Sequence, residues 1–117
     1  MATEDDVRRL ALALPGTTER PSYGTPGFRV AEKVFARVHS DPGLLVAWVD
    51  GLEAKEELLA AAPDRFTTTA HYDGHPTVLV RLAAVGVSEL AEVLEQAWWV
   101  RAPARLRAGR DGPPSSG

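Results

Sequence analysis

Prolines and glycines divide this chain into short segments, and this punctuation limits the folds that the chain can adopt. Breaks fall at Pro15-Gly16, at Asp41-Pro42-Gly43, at Pro63 and at Pro103. Proline fixes φ and removes a backbone donor, and Pro-Gly pairs favour turns, so no long helix or strand runs through these points. We therefore expect short helices and short strands joined by tight connections.

Three segments show the signals of amphipathic helices. Thr3 and Asp6 have the spacing of a capping box at the start of the first helix, Asp50 is the expected N-cap of the second, and Ser88 is the expected N-cap of the third. Apolar residues recur at helical spacing, namely Val7, Leu10, Ala11 and Leu14 in the first helix and Val87, Leu90, Ala91, Leu94, Ala97 and Trp98 in the third.

The segments between these helices are β-prone. We predict strands at Phe28–Val30, Lys33–Val38, Leu44–Val49 and Thr77–Leu82, with shorter pieces near Thr17–Pro21 and Phe66–Thr69. Turns are expected at Ala31-Glu32 and at Asp73-Gly74. Strict alternation in the second strand predicts Val34, Ala36 and Val38 on one side and Lys33, Phe35 and Arg37 on the other.

This element order predicts an α+β fold, with a single antiparallel sheet packed against helices on one face. Strands joined by short turns pair antiparallel, and amphipathic helices bury their apolar stripes against a sheet. The length of 117 residues is that of one domain. We place that domain at residues 1–108 and expect the Gly-, Pro- and Ser-rich residues 109–117 to be a flexible tail.

Composition excludes several classes of function. The chain has no cysteine, so it contains no disulfide, no thiolate metal site and no cysteine nucleophile. A Gly-rich phosphate loop, a Gly-x-Ser-x-Gly motif and an HExxH motif are absent, and we expect neither catalytic residues nor a cofactor. The acidic start and the short apolar runs predict a cytoplasmic protein with no membrane partner.

Several short motifs together resemble those of the YjbR/MmcQ family over roughly residues 3 to 107. The motifs are Leu14-Pro15-Gly16, Tyr23-Gly24-Thr25-Pro26-Gly27-Phe28-Arg29-Val30, Lys33-Val34-Phe35-Ala36-Arg37, Ala62-Pro63-Asp64-Arg65-Phe66, His71-Tyr72-Asp73-Gly74-His75-Pro76 and Ala97-Trp98-Trp99-Val100-Arg101-Ala102-Pro103. The resemblance implies a CyaY-like fold, an antiparallel sheet with helices on one face. It also implies DNA binding through a double-wing arrangement of hairpins.

Basic residues on the predicted strands are the first candidates for contact with a nucleic-acid backbone. They are Arg29, Lys33, Arg37 and Arg81, and two arginines near the C-terminus, Arg101 and Arg105, form a second candidate group. The formal net charge of −3 gives no overall attraction to nucleic acid, so binding requires a local basic patch. Two alternatives give these residues no role in binding. The strand residues then belong to an ordinary solvated sheet face, and the C-terminal arginines stabilise a helix because its dipole favours cations near the C-terminus.

Three other residues are candidates for direct ligand contact. Tyr23 and Trp99 carry rings on which a base stacks, and His71 lies in the turn-rich segment before the last strand. His71 and His75 with Asp73 supply too few placed ligands for a metal ion, so no metal site is predicted.

The sequence thus favours a non-enzymatic binding module with DNA as its partner. Two alternatives stay open. The first is a protein- or peptide-binding adaptor that uses an exposed sheet face or edge. The second is a small-molecule site between the sheet and the turn-rich segment, near Tyr23 and His71.

Overall fold

Four helices and six strands make up the fold. The computed structural model describes residues 1–108, and the predicted tail at 109–117 lies outside the described residues. In chain order the elements are α1 (Glu4–Leu12), β1 (Thr17–Ser22), β2 (Thr25–Val30), β3 (Lys33–Val38), β4 (Leu44–Trp48), α2 (Gly51–Ala61), β5 (Phe66–Thr67), β6 (Thr77–Arg81), α3 (Val87–Arg101) and α4 (Ala104–Arg107). Short 3₁₀ turns lie at Ala70–Tyr72 and Leu82–Ala84.

All six strands form one sheet in the order β1-β2-β3-β4-β6-β5, and every pair is antiparallel. The first four strands are a meander, as expected of strands joined by short turns. The chain then crosses through α2 to β5 at the edge and returns as β6 between β4 and β5. This arrangement confirms the predicted α+β fold with a single antiparallel sheet.

Two tight turns shape the β1–β2–β3 meander. Tyr23 and Gly24 have φ values of +54° and +82°, and Ala31 and Glu32 have values of +50° and +69°. Two consecutive residues with positive φ form the type I′ turn, whose twist matches that of the strands it joins. The turn at Ala31-Glu32 was predicted, whereas the turn-rich stretch before Phe28 proves to be a complete hairpin with Ser22 paired to Thr25.

An irregularity in β3 overturns the predicted alternation in the first half of this strand. Phe28 pairs with Ala36 and Arg29 pairs with Val34, so Phe35 is an extra residue in β3 opposite the Phe28/Arg29 step. Such a bulge places an additional side chain without advancing the pairing. Phe35 and Ala36 are both fully buried in the core, and the prediction that Phe35 lies with Arg37 is therefore wrong. The predicted sides of Lys33 and Val34 are wrong as well, because Lys33 pairs with the core residue Val30 and Val34 pairs with Arg29 on the opposite side.

The helical layer is centred on α3. This helix packs against α1 and against the central strands β3 and β4, whereas α2 contacts β5 and β6. The largest fully buried side chains are Trp98, Phe28, Phe35, Leu45, Leu79, Leu90 and Leu94. Among residues 1–108, no helix combines the length and apolar character needed to cross a membrane.

The N-termini of the helices agree with the predicted N-caps only in part. Thr3 and Asp6 form the predicted capping box, and the bonds from Thr3 lower the pKa of the Asp6 carboxyl. Asp50 precedes α2 but makes no side-chain cap bond, and α3 begins at Val87 after Gly86, so Ser88 lies in the first turn and is not the N-cap. Burial against the sheet therefore stabilises α2 and α3 without side-chain caps.

One hydrogen bond joins the end of α3 to the loop after α1. Trp98 is fully buried, and its indole Nε1 donates to the carbonyl oxygen of Pro15 at 2.8 Å. The bond satisfies a donor that has no access to water and holds the Pro15 loop against the helix.

Replacing Trp98 by Phe removes this donor and part of the ring volume, and we expect the free energy of unfolding to fall by about 2–4 kcal/mol. Trp99→Phe is the matched control, because Trp99 is only half-buried on the same helix. Urea denaturation of both variants measures the difference. Equal losses in the two variants would show that the Pro15 bond contributes nothing specific.

Candidate functional site

Charge is segregated between the sheet and the helices. The strands carry five Lys or Arg side chains and one acid, whereas α1, α2 and α3 carry four cations and nine acids. The formal net charge of −3 therefore conceals a basic sheet and an acidic helical layer. An anionic partner is attracted to one side of this molecule and repelled from the other.

The strand register brings arginines to a common side of the sheet. Gly27 pairs with Arg20 on one neighbouring strand and with Arg37 on the other, and Arg29 lies two residues further along β2. Paired residues and residues two apart face the same side, so the three arginines share it. Arg37 also pairs with Val46, which pairs with Leu79, and Arg81 follows Leu79 by two residues on that side. We call Arg20, Arg29, Arg37 and Arg81 the basic side of the sheet.

Arg37 contacts two tyrosines. Its guanidinium is 5.4 Å from the centroid of the Tyr23 ring, within the range of a cation–π contact. Its Nη2 also donates to the hydroxyl of Tyr72 at 2.6 Å. The side chain is half-buried, and these two contacts fix the direction of its guanidinium.

Two histidines flank the Tyr72 ring. His71 meets it edge-on at 4.9 Å between centroids, and His39 lies at 6.1 Å in a tilted orientation. The His39 Nδ1 accepts a hydrogen bond from the backbone N–H of Asp41 at 3.0 Å, so in the neutral ring the proton is on Nε2. We call Tyr23, Arg37, His39, His71 and Tyr72 the Arg37 cluster.

A buried lysine holds the segment that carries Tyr72. The Nζ of Lys55, on α2, donates to the carbonyl oxygens of Tyr72 at 2.6 Å and His75 at 3.0 Å. Only 5% of the Lys55 side chain is exposed, so these carbonyls replace water around the ammonium group. The predicted Asp73-Gly74 turn is present, with the N–H of His75 bonded to the Tyr72 carbonyl, but it lies within a longer connection between β5 and β6.

Tyr23 is held in an uncommon conformation and is almost fully exposed. Its φ of +54° is in the left-handed region, which is unfavourable for a residue with a bulky side chain. The side chain is 92% exposed, so burial does not compensate for this conformation. Gly27, the β2 partner of Arg37, is buried, and a Cβ there would lie 2.8 Å from the Cβ of Ser22.

The other basic strand residues differ in their exposure and in the partners that they contact. Arg20 forms an ion pair with Glu32. The Nε of Arg29 is buried and has no hydrogen-bond partner among the described residues. Lys33 is exposed at the turn, paired with Val30 and so outside the basic side, and Arg81 is exposed at the end of β6.

The C-terminal candidates occupy different surroundings. The Nε of Arg101 donates to the Val34 carbonyl at 3.1 Å and its guanidinium lies 4.9 Å from the Trp48 ring centroid, while burial lowers its pKa. Trp48 itself is half-buried and packs against the core. Arg105 is exposed on α4.

Two further sequence predictions concern Trp99 as a ligand contact and the segment from His71 to His75, where no metal site was predicted. Trp99 is half-buried against the core, and the guanidinium of Arg107 lies 5.5 Å from its ring centroid. Residues 1–108 contain no group of three His, Cys, Asp or Glu side chains placed to hold a metal ion. Tyr23 therefore contacts Arg37 directly and His71 is linked to it through Tyr72, whereas the described ring contact of Trp99 is with Arg107.

Sequence reasoning missed Arg20, His39, Lys55 and Tyr72. A partial signal existed for Arg20, which lies in the short predicted strand near Thr17–Pro21. Tyr72 lies 35 residues from the arginine that it binds, and Lys55 lies 17 residues from the carbonyl that it binds. No sequence periodicity connects residues at such separations.

Known proteins resemble this chain over nearly its whole length. The YjbR family model matches residues 12–100. Uncharacterized proteins of Mycobacterium tuberculosis and Mycobacterium bovis are each 35% identical to it, over 91% of this chain and 93% of theirs. A crystal structure of a Deinococcus radiodurans protein with a DUF419 domain superposes with a TM-score of 0.75 at 25% identity, covering 98% of this chain and 96% of that one.

The support that Lys55 gives to the Arg37 cluster is testable by Lys55→Met. This change leaves the carbonyls of Tyr72 and His75 without their buried donor, and we expect a loss of about 1–3 kcal/mol in the free energy of unfolding. Amide exchange at Asp73 and His75 is expected to accelerate, because both amides lie in the released segment. Glu56→Gln, an exposed change on the same helix, serves as the control. Unchanged exchange at both amides would contradict a holding role for Lys55.

Proposed function

This chain belongs to the YjbR family, and we propose that it is a non-enzymatic nucleic-acid-binding module that contacts its partner through the basic side of the sheet. The observation that carries the proposal is the segregation of charge between strands and helices. A chain with a formal charge of −3 binds a polyanion only through a local patch. The acidic helices repel a polyanion, so binding through the helical layer is disfavoured.

The residue types on the basic side suit phosphate contact. Arginine presents a planar fork of N–H donors that matches the oxygens of a phosphate, and it stays charged at every physiological pH. Arg29 and Arg37 are half-buried, so their positions are restrained before a partner arrives. Restraint of this kind lowers the entropy lost on binding.

The proposal assigns a lesser role to the C-terminal arginines. Arg101 already bonds to a backbone carbonyl and lies on Trp48, and Arg107 bonds to the Ala102 carbonyl at 3.0 Å. Contacting a phosphate would require these groups to exchange existing partners. Arg105 has an exposed side chain and stays a candidate for an auxiliary contact.

A second candidate function is the binding of a small anionic molecule at the Arg37 cluster. It is favoured by the contact of Tyr23 with Arg37 and of His71 with Tyr72, which bonds to Arg37, because one of the sequence-based alternatives expected a site near Tyr23 and His71. Against it, a cavity described in the structure lies elsewhere, between α1 and α3. Its volume of about 190 Å³ is below that of ordinary ligand pockets.

Removing two charges from the basic side tests the first candidate. We expect Arg20→Gln with Arg37→Gln to weaken oligonucleotide binding about tenfold for each lost contact at low salt. The slope of log K against log salt is expected to shrink by about 0.7–0.9 for each contact. Fluorescence anisotropy with labelled single-stranded and duplex DNA over a salt series measures both quantities.

Arg8→Gln with Arg9→Gln removes the same charge from α1 and is the matched control. Equal weakening in the two double variants would indicate nonspecific attraction and contradict the assigned surface. Thermal stabilisation by mononucleotides, without oligonucleotide binding at any salt concentration, would favour the second candidate and contradict the first.

A further inference from the structure

We propose that Tyr23 and Arg37 form a subsite for one unpaired nucleotide, so that the basic side of the sheet selects single-stranded over duplex nucleic acid. The inference rests on the proposed function and specifies its ligand class. In this subsite a base stacks on the Tyr23 ring while a phosphate of the same strand contacts the Arg37 guanidinium.

Neither core packing nor turn geometry explains the position of the Tyr23 ring. It is 92% exposed, and its backbone is in the left-handed region at the first central position of a type I′ turn. Asparagine, aspartate or glycine adopts that conformation more readily than tyrosine does. A strained and exposed aromatic residue points to a role in binding, since neither burial nor turn formation accounts for it.

Arg37 is placed to hold a phosphate beside that ring. Its guanidinium lies 5.4 Å from the ring centroid and bonds through Nη2 to the Tyr72 hydroxyl. An arginine has five N–H donors, and the Tyr72 bond uses one of them while fixing the direction of the group. The remaining donors are available to phosphate oxygens.

The exposed tip of the β1–β2 hairpin leaves room for a base beside this pair. Tyr23 is 92% exposed between Ser22 and Thr25, which close the hairpin. Gly27, the β2 partner of Arg37, is itself buried, and the Ser22 side chain lies where a Cβ on Gly27 would point. The room for a base is therefore at the hairpin tip and not over Gly27.

The Tyr23 ring and the Arg37 guanidinium together favour single-stranded over duplex nucleic acid, because the two forms expose different parts of the bases. An unpaired base offers a free π face, and stacking on an aromatic side chain contributes about 1–3 kcal/mol per base. In a duplex both faces of each internal base are covered by its neighbours, and exposing one requires unstacking. Duplex DNA thus gains from the arginines but not from Tyr23.

Tyr23→Ala tests this subsite, with Tyr23→Phe retaining the ring and Leu52→Ala as a control at another exposed apolar residue. Binding to a labelled oligothymidylate and to a labelled duplex is measured by anisotropy at low salt. Tyr23→Ala is expected to weaken binding to the single strand by about 5- to 150-fold, the equivalent of one lost stacking contact. Duplex binding is expected to change less than about twofold, and Tyr23→Phe is expected to match the wild type.

A second readout follows the ring itself. On addition of oligothymidylate, the Tyr23 ring protons are expected to shift in NMR spectra of the wild type through the ring current of the stacked base. Equal weakening of single-strand and duplex binding by Tyr23→Ala, or unmoved ring protons at saturation, would overturn the inference.

Failure of this inference is distinguishable from failure of the proposed function. Duplex binding that depends on Arg20 and Arg37 but not on Tyr23 would remove the subsite and leave the basic side as the binding surface. Absence of binding to either oligonucleotide would remove both.

Discussion

The hydrogen bond from Arg37 to the Tyr72 hydroxyl connects two parts of the chain on which the proposed site depends. Arg37 belongs to a central strand, and Tyr72 belongs to the connection between β5 and β6, which Lys55 holds from α2. Among residues 1–108, the cation–π contact with the exposed Tyr23 ring is the other described interaction of this guanidinium. A long, flexible side chain is thereby converted into a directed group of donors, which is the kind of restraint that binding sites require.

Arginines in this protein serve two different purposes. Arg101 bonds to the backbone of Val34 and covers Trp48, so it contributes to packing between α3 and the sheet. On the basic side of the sheet, Arg29 and Arg37 lie on adjacent strands and lack a carboxylate partner within ion-pair distance among residues 1–108. The same residue type thus acts as a structural clamp in one place and remains available for an anion in the other.

The sequence was informative wherever local chemistry decides the structure. The capping box at Thr3, the strand Lys33–Val38 and the turn at Ala31-Glu32 follow from neighbouring residues, and the structure contains all three. The fold class followed from the order of such elements. The bulge at Phe35 did not, because alternation in β3 gives no indication that β2 skips a residue.

The candidate site was predictable only as a set of residue types. Arg37, Tyr23 and His71 were predicted as candidates, but no sequence pattern groups them, since Tyr72, which links His71 to Arg37, lies 35 residues from Arg37. In the sequence, Arg101 is a candidate for phosphate contact like the strand arginines. Its bond to the carbonyl of Val34, 67 residues away, distinguishes it from them in the structure. Contacts of this range depend on sheet order and register, which single-sequence patterns do not encode.

The central claim is that nucleic acid contacts the basic side of the sheet, and arginine side-chain NMR tests it most directly. In this measurement the Nε–H signals of the labelled protein are followed while a single-stranded oligonucleotide is added at low and then at raised salt. The account predicts that the signals of Arg29 and Arg37 move, that those of Arg8 and Arg9 on α1 stay, and that salt reverses the change. Shifts confined to the helix arginines, or no shift at low salt, would contradict it.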